Sequence, residues 1–315
     1  MPNLIKDPAL HAKISLRKKI VTEVAKSRRI SAQNARVVFV LDHSGSMRAL
    51  YRNGTVQDVL ERIFPVAMHF DDNAELEFYW FDSLYKELEP VTCDSIQDYV
   101  PRVILEKNEH FGGTCYAPVM QALMQRYVAE EPAEIPTFVI FITDGNNSDK
   151  AAAKRALTEA SAYNIFWKFV GIGFEQFEFL QKLDDLSGRT VDNANFVRIR
   201  SLTDIDDRTL YDMLLTEYAE WLAACRACGI PVDGAADPAE QLRSILQEEL
   251  PGCTLQEEDT PDVLKLHVYL ADSRKFGILK IGKTDKSLQL RKLAGGAPQT
   301  IDLASADDLK RHLSF

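Results

Sequence analysis

Val37-Val-Phe-Val-Leu-Asp-His-Ser-Gly-Ser-Met47 decides how the chain folds. An apolar run rich in β-branched residues stops at Asp42, and two hydroxyls follow at alternate positions, Ser44 and Ser46. An apolar run bounded by turn residues reads as a strand buried on both faces, the pattern of a central parallel strand. The polar triplet then lies at the strand's carboxyl end, where open α/β sheets bind their ligands. One carboxylate and two hydroxyls are hard oxygen donors, suited to a divalent cation such as magnesium, manganese or calcium.

Two further segments share this character. Phe111-Gly-Gly-Thr-Cys-Tyr-Ala-Pro118 carries Thr114 in a glycine turn ahead of a helical pattern. Thr137-Phe-Val-Ile-Phe-Ile-Thr143 is a second buried strand, and it runs into Asp144-Gly145. Asp-x-Ser-x-Ser, then Gly-Gly-Thr, then a strand ending in Thr-Asp-Gly resembles the metal-ion-dependent adhesion site of von Willebrand factor A (vWA) domains. That resemblance implies that Asp42, Ser44, Ser46, Thr114 and Asp144 hold a divalent cation, magnesium first, with calcium or manganese as the other choices. All five positions carry the residue type the motif expects. The structural alternative for each segment is an ordinary turn after a strand.

The chain has 315 residues, enough for one large α/β domain and a small one. Hydrophobic residues make up 46% and charged residues 27%, the balance of a soluble globular protein. No apolar run reaches the ~18 residues of a membrane span. The first residues lack an apolar signal core, so the expected location is the cytoplasm. Five cysteines are too few for a disulfide scaffold. Residues 1–36 carry a net charge of +7 within a chain of −10, which leaves −17 for the rest. A basic arm serves nucleic acid, an anionic surface, or an acidic body against which it lies. The acidic remainder favours the last of these over nucleic-acid binding.

Along the chain, residues 1–34 form a basic extension, with a helix over 8–27 capped by Asp7. A domain over 35–230 alternates strands and helices, the sign of a doubly wound, mostly parallel, Rossmann-like sheet. Its expected helices begin with one after a capping box at Thr55-Val-Gln-Asp58, with Pro65 expected to bend it or shift its start. Others cover Tyr116 to Ala129, Ser148 (as cap) to Ala160, Gln176 to Leu183, and one long closing stretch from Ile205 to Ala227. Expected strands after the first are Glu75–Phe81, an antiparallel edge at Tyr85–Val91, Thr137–Thr143, Asn164–Gly171 and Asn195–Ile199. Residues 231–238 read as a linker, and 239–315 as a small α+β domain of unassigned role. In that domain a helix at Ala239–Leu250, a hairpin from Val263–Leu270 and Phe276–Ile281, and a terminal helix at Ser305–Leu313 are expected.

Longer stretches resemble the vWA domains of bacterial tellurium-resistance (Ter) proteins, the TerF-like group. They are the Ala35–Tyr51 segment, Gly54-Thr-Val-Gln-Asp-Val-Leu-Glu-Arg62, His69-Phe-Asp-Asp-Asn-Ala-Glu-Leu76, and Phe166-Trp-Lys-Phe-Val-Gly-Ile-Gly173. Phe179-Leu-Gln-Lys-Leu-Asp-Asp-Leu-Ser-Gly-Arg189 and Asp192-Asn-Ala-Asn-Phe196 belong with them. The resemblance implies a metal-dependent protein-docking module of a tellurite or stress-resistance system. A partner protein, another Ter-system member, would present an Asp or Glu to the metal's open position. The C-terminal domain departs from this pattern.

An enzyme is the competing class, because an open metal position can act as a Lewis acid or activate water. His43 and His110 flank the motif and are the candidate bases. Ser44 has no Gly-x-Ser-x-Gly elbow. No Gly-x-x-x-x-Gly-Lys-Ser/Thr loop is present, and Ser44 stands where an aspartyl-phosphate phosphatase has its second Asp. No catalytic residue is therefore assigned, and no organic cofactor. Cys225-Arg-Ala-Cys228 is a lone pair without a second metal-binding pair at zinc spacing. Tellurite capture by Cys93, Cys115, Cys225, Cys228 or Cys253 is chemically conceivable, and burial under a loop is the simpler role of Cys115.

Overall fold

In the computed structural model the described residues are 5, 7–30, 35–71, 74–107, 110–200, 205–234, 238–283, 287–294, 297–304 and 306–313. They divide into two compact units that meet between Gly234 and Ala235.

The first unit is built on strands β1 (Arg36–Asp42), β2 (Glu77–Phe81), β3 (Tyr85–Glu87), β4 (Thr137–Thr143), β5 (Ile165–Ile172) and β6 (Ala194–Ile199). They form one sheet in the order β3-β2-β1-β4-β5-β6. Only the β2–β3 pair is antiparallel; β1–β2, β1–β4, β4–β5 and β5–β6 are parallel. The doubly wound, mostly parallel architecture expected from the sequence is therefore the one observed. Side chains alternate across the sheet with period two. Val37, Phe39, Leu41, Phe138, Ile140 and Ile142 enter one core. Val38, Val40, Val139, Phe141, Trp167 and Phe169 enter the other. Both faces are buried, which is why the strands read as continuous apolar runs.

The first face is covered by α1 (Pro8–Ser27), α2 (Arg48–Arg52), α3 (Thr55–Phe70), α7 (Asp207–Leu214) and α8 (Tyr218–Ala227). The second face is covered by α4 (Ala117–Met124), α5 (Lys150–Ala160) and α6 (Glu178–Asp184). The chain leaves β1 through α3 to reach β2 on one side, and enters β4 from α4 on the other side. The order of winding thus reverses between β1 and β4, the position where such sheets open a crevice.

The basic extension is part of this unit. Leu10, Ile14, Val21 and Val24 of α1 join the first core. Asp7 caps the helix, its Oδ1 accepting from the Ala9 amide at 2.8 Å. Arg17 Nε and Arg62 Nε donate to the two carboxylate oxygens of Asp207 at 3.0 and 2.7 Å. Arg28 donates to Asp212 at 2.8 Å. Two of the arm's cations, Arg17 and Arg28, are thus directed at acidic residues of α7.

Several local expectations differ. Thr55 does not cap α3: the helix begins at Thr55 after Gly54, whose φ is +88°, and Asn53 Oδ1 takes the Thr55 amide. Pro65 lies inside the continuous helix. The 205–227 segment is two helices, because Glu217 has φ +65° and breaks the run. Ser148 does not cap α5, which starts at Lys150. The Tyr116–Ala129 region is α4 followed by a wider helical turn at Gln125–Glu130.

The second unit holds α9 (Pro238–Glu249) and strands β7 (Thr254–Asp259), β8 (Val263–Tyr269), β9 (Lys275–Gly282), β10 (Leu288–Lys292) and β11 (Gln299–Leu303). They make an antiparallel sheet in the order β11-β10-β9-β8-β7. The β8–β9 hairpin is the expected one, and β7, β10 and β11 extend it. The terminal helix is a short 3-10 segment, Asp307–His312, and Ser305 lies outside the described residues. Leu242, Leu246, Leu266, Val268, Phe276, Leu279, Leu290 and Leu309 form a core of their own. Of the expected linker, residues 235–237 lie outside the described residues.

Candidate metal centre

The carboxyl ends of β1 and β4 bring four of the five candidate side chains into one hydrogen-bonded network. Asp42 ends β1 and is 0% exposed. Its Oδ1 accepts from the Ser44 amide at 2.7 Å, and its Oδ2 accepts from Thr143 Oγ1 at 2.5 Å. Alternation puts Asp42 and Thr143 on the same face of neighbouring strands, which brings these two atoms together. Ser44 Oγ lies 3.0 Å from Ser46 Oγ. Ser46 Oγ in turn donates to Asp144 Oδ1 at 2.8 Å. Tyr51 from α2 donates to the Asp42 carbonyl at 3.1 Å, and Tyr116 from α4 donates to the Gly145 carbonyl at 2.8 Å. Both turns are thereby tied to helices.

Thr114 reaches this cluster through its loop. Ser44 pairs with Gly112 in an isolated bridge, and the Gly45 amide donates to the Gly112 carbonyl at 3.1 Å. On the other side, the Ser148 amide and hydroxyl both donate to the Thr114 carbonyl, at 2.9 and 3.1 Å. The glycines permit a close approach. A Cβ on Gly112 would lie 2.4 Å from Asp82 Oδ2, and one on Gly113 would lie 2.8 Å from Ser83 Oγ. The loop is thus laid directly over the turn that follows β2.

Asp149 is a positioning residue that the sequence reading missed. Its carboxylate accepts from the amides of Tyr116 and Ala117 at 3.0 and 2.7 Å, and from Asn147 Nδ2 at 2.6 Å. It therefore caps α4 from the loop after β4, locking the Thr114 loop to the Asp144 loop. An Asp five residues past Asp144 is its only mark in the sequence, and the two amides it caps are more than 30 residues away. Thr143 was legible only as the residue before Asp144.

Burial pushes the Asp42 carboxyl up to about 6, against the opposing hydrogen bonds from Ser44 and Thr143. Burial also raises Asp144, with the Ser46 bond opposing. Among the described residues no Lys or Arg forms an ion pair with either carboxylate. Buried charge is held only when it is paired or coordinates a metal. The donor set of two carboxylates and three hydroxyls is hard throughout and fits magnesium, manganese or calcium rather than a soft ion. Among the described residues no three His, Cys, Asp or Glu side chains gather as a ligand cluster.

The flanking histidines and the cysteines sit in different surroundings. His43 is fully buried, with its ring stacked 3.9 Å from Phe111 and 4.5 Å from Trp80. An imidazole walled on both faces is a packing element. His110 is exposed on the rim of a separate pocket. Cys225 is buried in the first core and its thiol is pushed up to about 12 by burial, far from a reactive thiolate. Cys115 is half-buried, with Sγ 3.2 Å from Ser148 Oγ.

Residues 34–231 match the family model vWA-TerF-like, described as the vWA domain found in the TerF C terminus. The chain is 43% identical over 232 residues to the uncharacterized protein YcbR of Bacillus subtilis (strain 168), a match spanning 73% of this chain and 94% of that one. Among solved structures, mussel byssus proximal thread matrix protein 1 aligns at 15% identity and TM-score 0.46 over 58% of this chain, and the match spans 47% of that chain. Manganese-loaded Plasmodium vivax TRAP protein aligns at 16% identity and TM-score 0.42, over 59% of this chain and 74% of that one.

Proposed function

We propose that this chain, which belongs to the vWA-TerF-like family, is a metal-dependent protein-docking module. Asp42, Ser44, Ser46, Thr114 and Asp144 would hold one divalent cation, magnesium first among the candidates. The observation that carries this reading is the network at the β1/β4 switch point. Two desolvated carboxylates without a pairing cation share one chain of hydrogen bonds with Ser44 and Ser46. Bound there, the ion would supply charge neutralisation and an open position for an outside ligand. With only two carboxylates in the set the site is neutral rather than anionic and the ion stays electron-poor, so a partner Asp or Glu is the natural ligand for the open position.

The surroundings support docking over catalysis. The loops after β1, β2, β4 and β5 share one end of the parallel sheet. Leu84, in the loop after β2, is 70% exposed, and Phe174, in the loop after β5, is 77% exposed. Large apolar side chains held in solvent around a charged site are the anchors of a protein interface. Among the described residues His43 is stacked between Phe111 and Trp80 and His110 is exposed, whereas a reaction would need a base or nucleophile aimed at the cation. The family relationship supports reading the setting as a tellurite or stress-response assembly in the cytoplasm, with another Ter-system protein as the proposed partner.

The test is capture of partners from the native host by the immobilised full chain, with magnesium and with EDTA, alongside Asp42→Ala. The reading expects a partner retained by the wild type with magnesium and lost in both other arms. Identical retention in all three arms overturns it.

A further inference from the structure

A pocket of about 450 Å³ adjoins the metal centre, lined by His43, Arg48, Arg52, Ile104, Leu105, His110 and Phe111. It shares Phe111 with the glycine loop and His43 with the Asp42 turn, so it borders the position a docked carboxylate would take. Its open side is basic. Arg48 and Arg52 are exposed and sit four residues apart, on one face of α2. Neither forms an ion pair with a described residue. Like charges at this spacing on a helix repel, a cost that an anion between them removes. The Arg48 guanidinium lies over the Phe111 ring, 5.2 Å from its centroid. A stacked guanidinium keeps its in-plane N–H donors free for a carboxylate. Exposed His110 adds a third polar donor, and among the described residues Glu106 is an acidic neighbour of the lining in sequence. In a chain of net charge −10 this is a local reversal of sign beside the proposed cation.

We infer that this pocket receives a second acidic side chain of the docked partner, so that the module recognises an acidic segment rather than a lone carboxylate. The inference rests on the docking reading and deepens it. One carboxylate would take the metal's open position, and a neighbouring one would lie between Arg48 and Arg52. Complementary charge of this kind sets partner choice and encounter rate more than raw affinity.

The test uses two fluorescein-labelled peptides and the full chain with magnesium, read by anisotropy. One peptide is a Gly/Ser decamer with a single central Glu, and the other carries four consecutive Glu. The four-Glu peptide is expected to bind about five- to tenfold tighter, the gain of two or three exposed charge pairs. Arg48→Gln with Arg52→Gln should erase that advantage while leaving magnesium affinity, measured by calorimetry, unchanged. If the advantage survives in the double variant but vanishes with EDTA, the pocket inference fails and the docking reading stands. If EDTA changes nothing and the double variant abolishes binding, the docking reading fails and an acid-binding pocket remains. No binding of the four-Glu peptide overturns the inference.

Discussion

Replacing Asp42 by Asn should stabilise the metal-free protein, the opposite of what truncating a fully buried polar group at the centre of a sheet usually does. The carboxyl's pKa rises from 3.8 to about 6 in the fold. At a value of ~1.4 kcal/mol per unit, the ionised form costs the metal-free fold about 3 kcal/mol. The sign follows from proton linkage. Between pH 3.8 and about 6 the folded state holds more protons at this site than the unfolded chain does. Stability therefore falls as pH rises through that window, and the whole cost is present above it. Asparagine is isosteric and uncharged. Its amide oxygen can accept from the Ser44 amide, and its NH2 can donate to Thr143 Oγ1, which now accepts. Allowing about 1 kcal/mol for poorer hydrogen bonds leaves a gain of about 2 kcal/mol. That is a rise of roughly 4–8 °C in Tm for a unit of this size. Trp80, Trp167 and Trp221 all lie in the first unit, so tryptophan fluorescence during urea unfolding reports on it alone. The measurement is made in EDTA at pH 5 and pH 7.5. The gain should be present at pH 7.5 and much reduced at pH 5. Magnesium at 100 times its Kd should stabilise the wild type by about 2.7 kcal/mol and leave Asp42→Asn unmoved. An Asn variant no more stable than wild type in EDTA at pH 7.5 would refute the reasoning, since the carboxylate would then be compensated without a cation.

Asp149→Ala removes the acceptor for two α4 amides and should cost about 1–2 kcal/mol in urea unfolding; calorimetry should also show weaker magnesium binding, because the Thr114 loop loses its tie to the Asp144 loop. Gly112→Ala drives a Cβ to 2.4 Å from Asp82 Oδ2, whose carboxylate is pinned by the Leu84 amide at 2.7 Å. Overpacking of this kind costs about 1–3 kcal/mol, and magnesium affinity should fall with stability. Lys168 on β5 is fully buried, donates to the Thr216 carbonyl at 3.3 Å and to Asn195 Oδ1, and is pulled down to about 7 by burial. Between pH 7 and 10.5 the unfolded chain carries a proton there that the folded one lacks, so stability gains from this group as pH rises. Lys168→Met should abolish that part of the rise, seen as a pH-dependent difference from wild type.

Much of the first unit was legible because each central strand is buried on both faces and ends abruptly in polar residues. Asp42 and Asp144 announce themselves by interrupting apolar runs, and the winding of the sheet then places both at one crevice. What escaped depends on contacts between distant segments. Asp149 caps a helix that begins 32 residues earlier. Glu217 divides the closing helix by taking a left-handed conformation that non-glycine residues rarely adopt, without local warning. Thr55 has the residue pattern of a capping box, but the preceding Gly54 and Asn53 form the helix entry instead. In the second unit, Thr254-Leu-Gln-Glu-Glu-Asp259 lacks any apolar alternation because it is a largely exposed edge strand. Charge on an edge protects it from pairing with other chains and hides it from pattern reading. The basic pocket was equally invisible, since Arg48, Arg52 and His110 meet only in the fold.

The most direct test of the central claim is a manganese-soaked crystal of the full chain, read by anomalous scattering. The account expects one strong peak at the carboxyl ends of β1 and β4, with Ser44 and Ser46 hydroxyls, Thr114, Asp42 and Asp144 as direct or water-bridged ligands. A saturating soak that leaves these five residues without a peak, or that places the ion elsewhere, would contradict it.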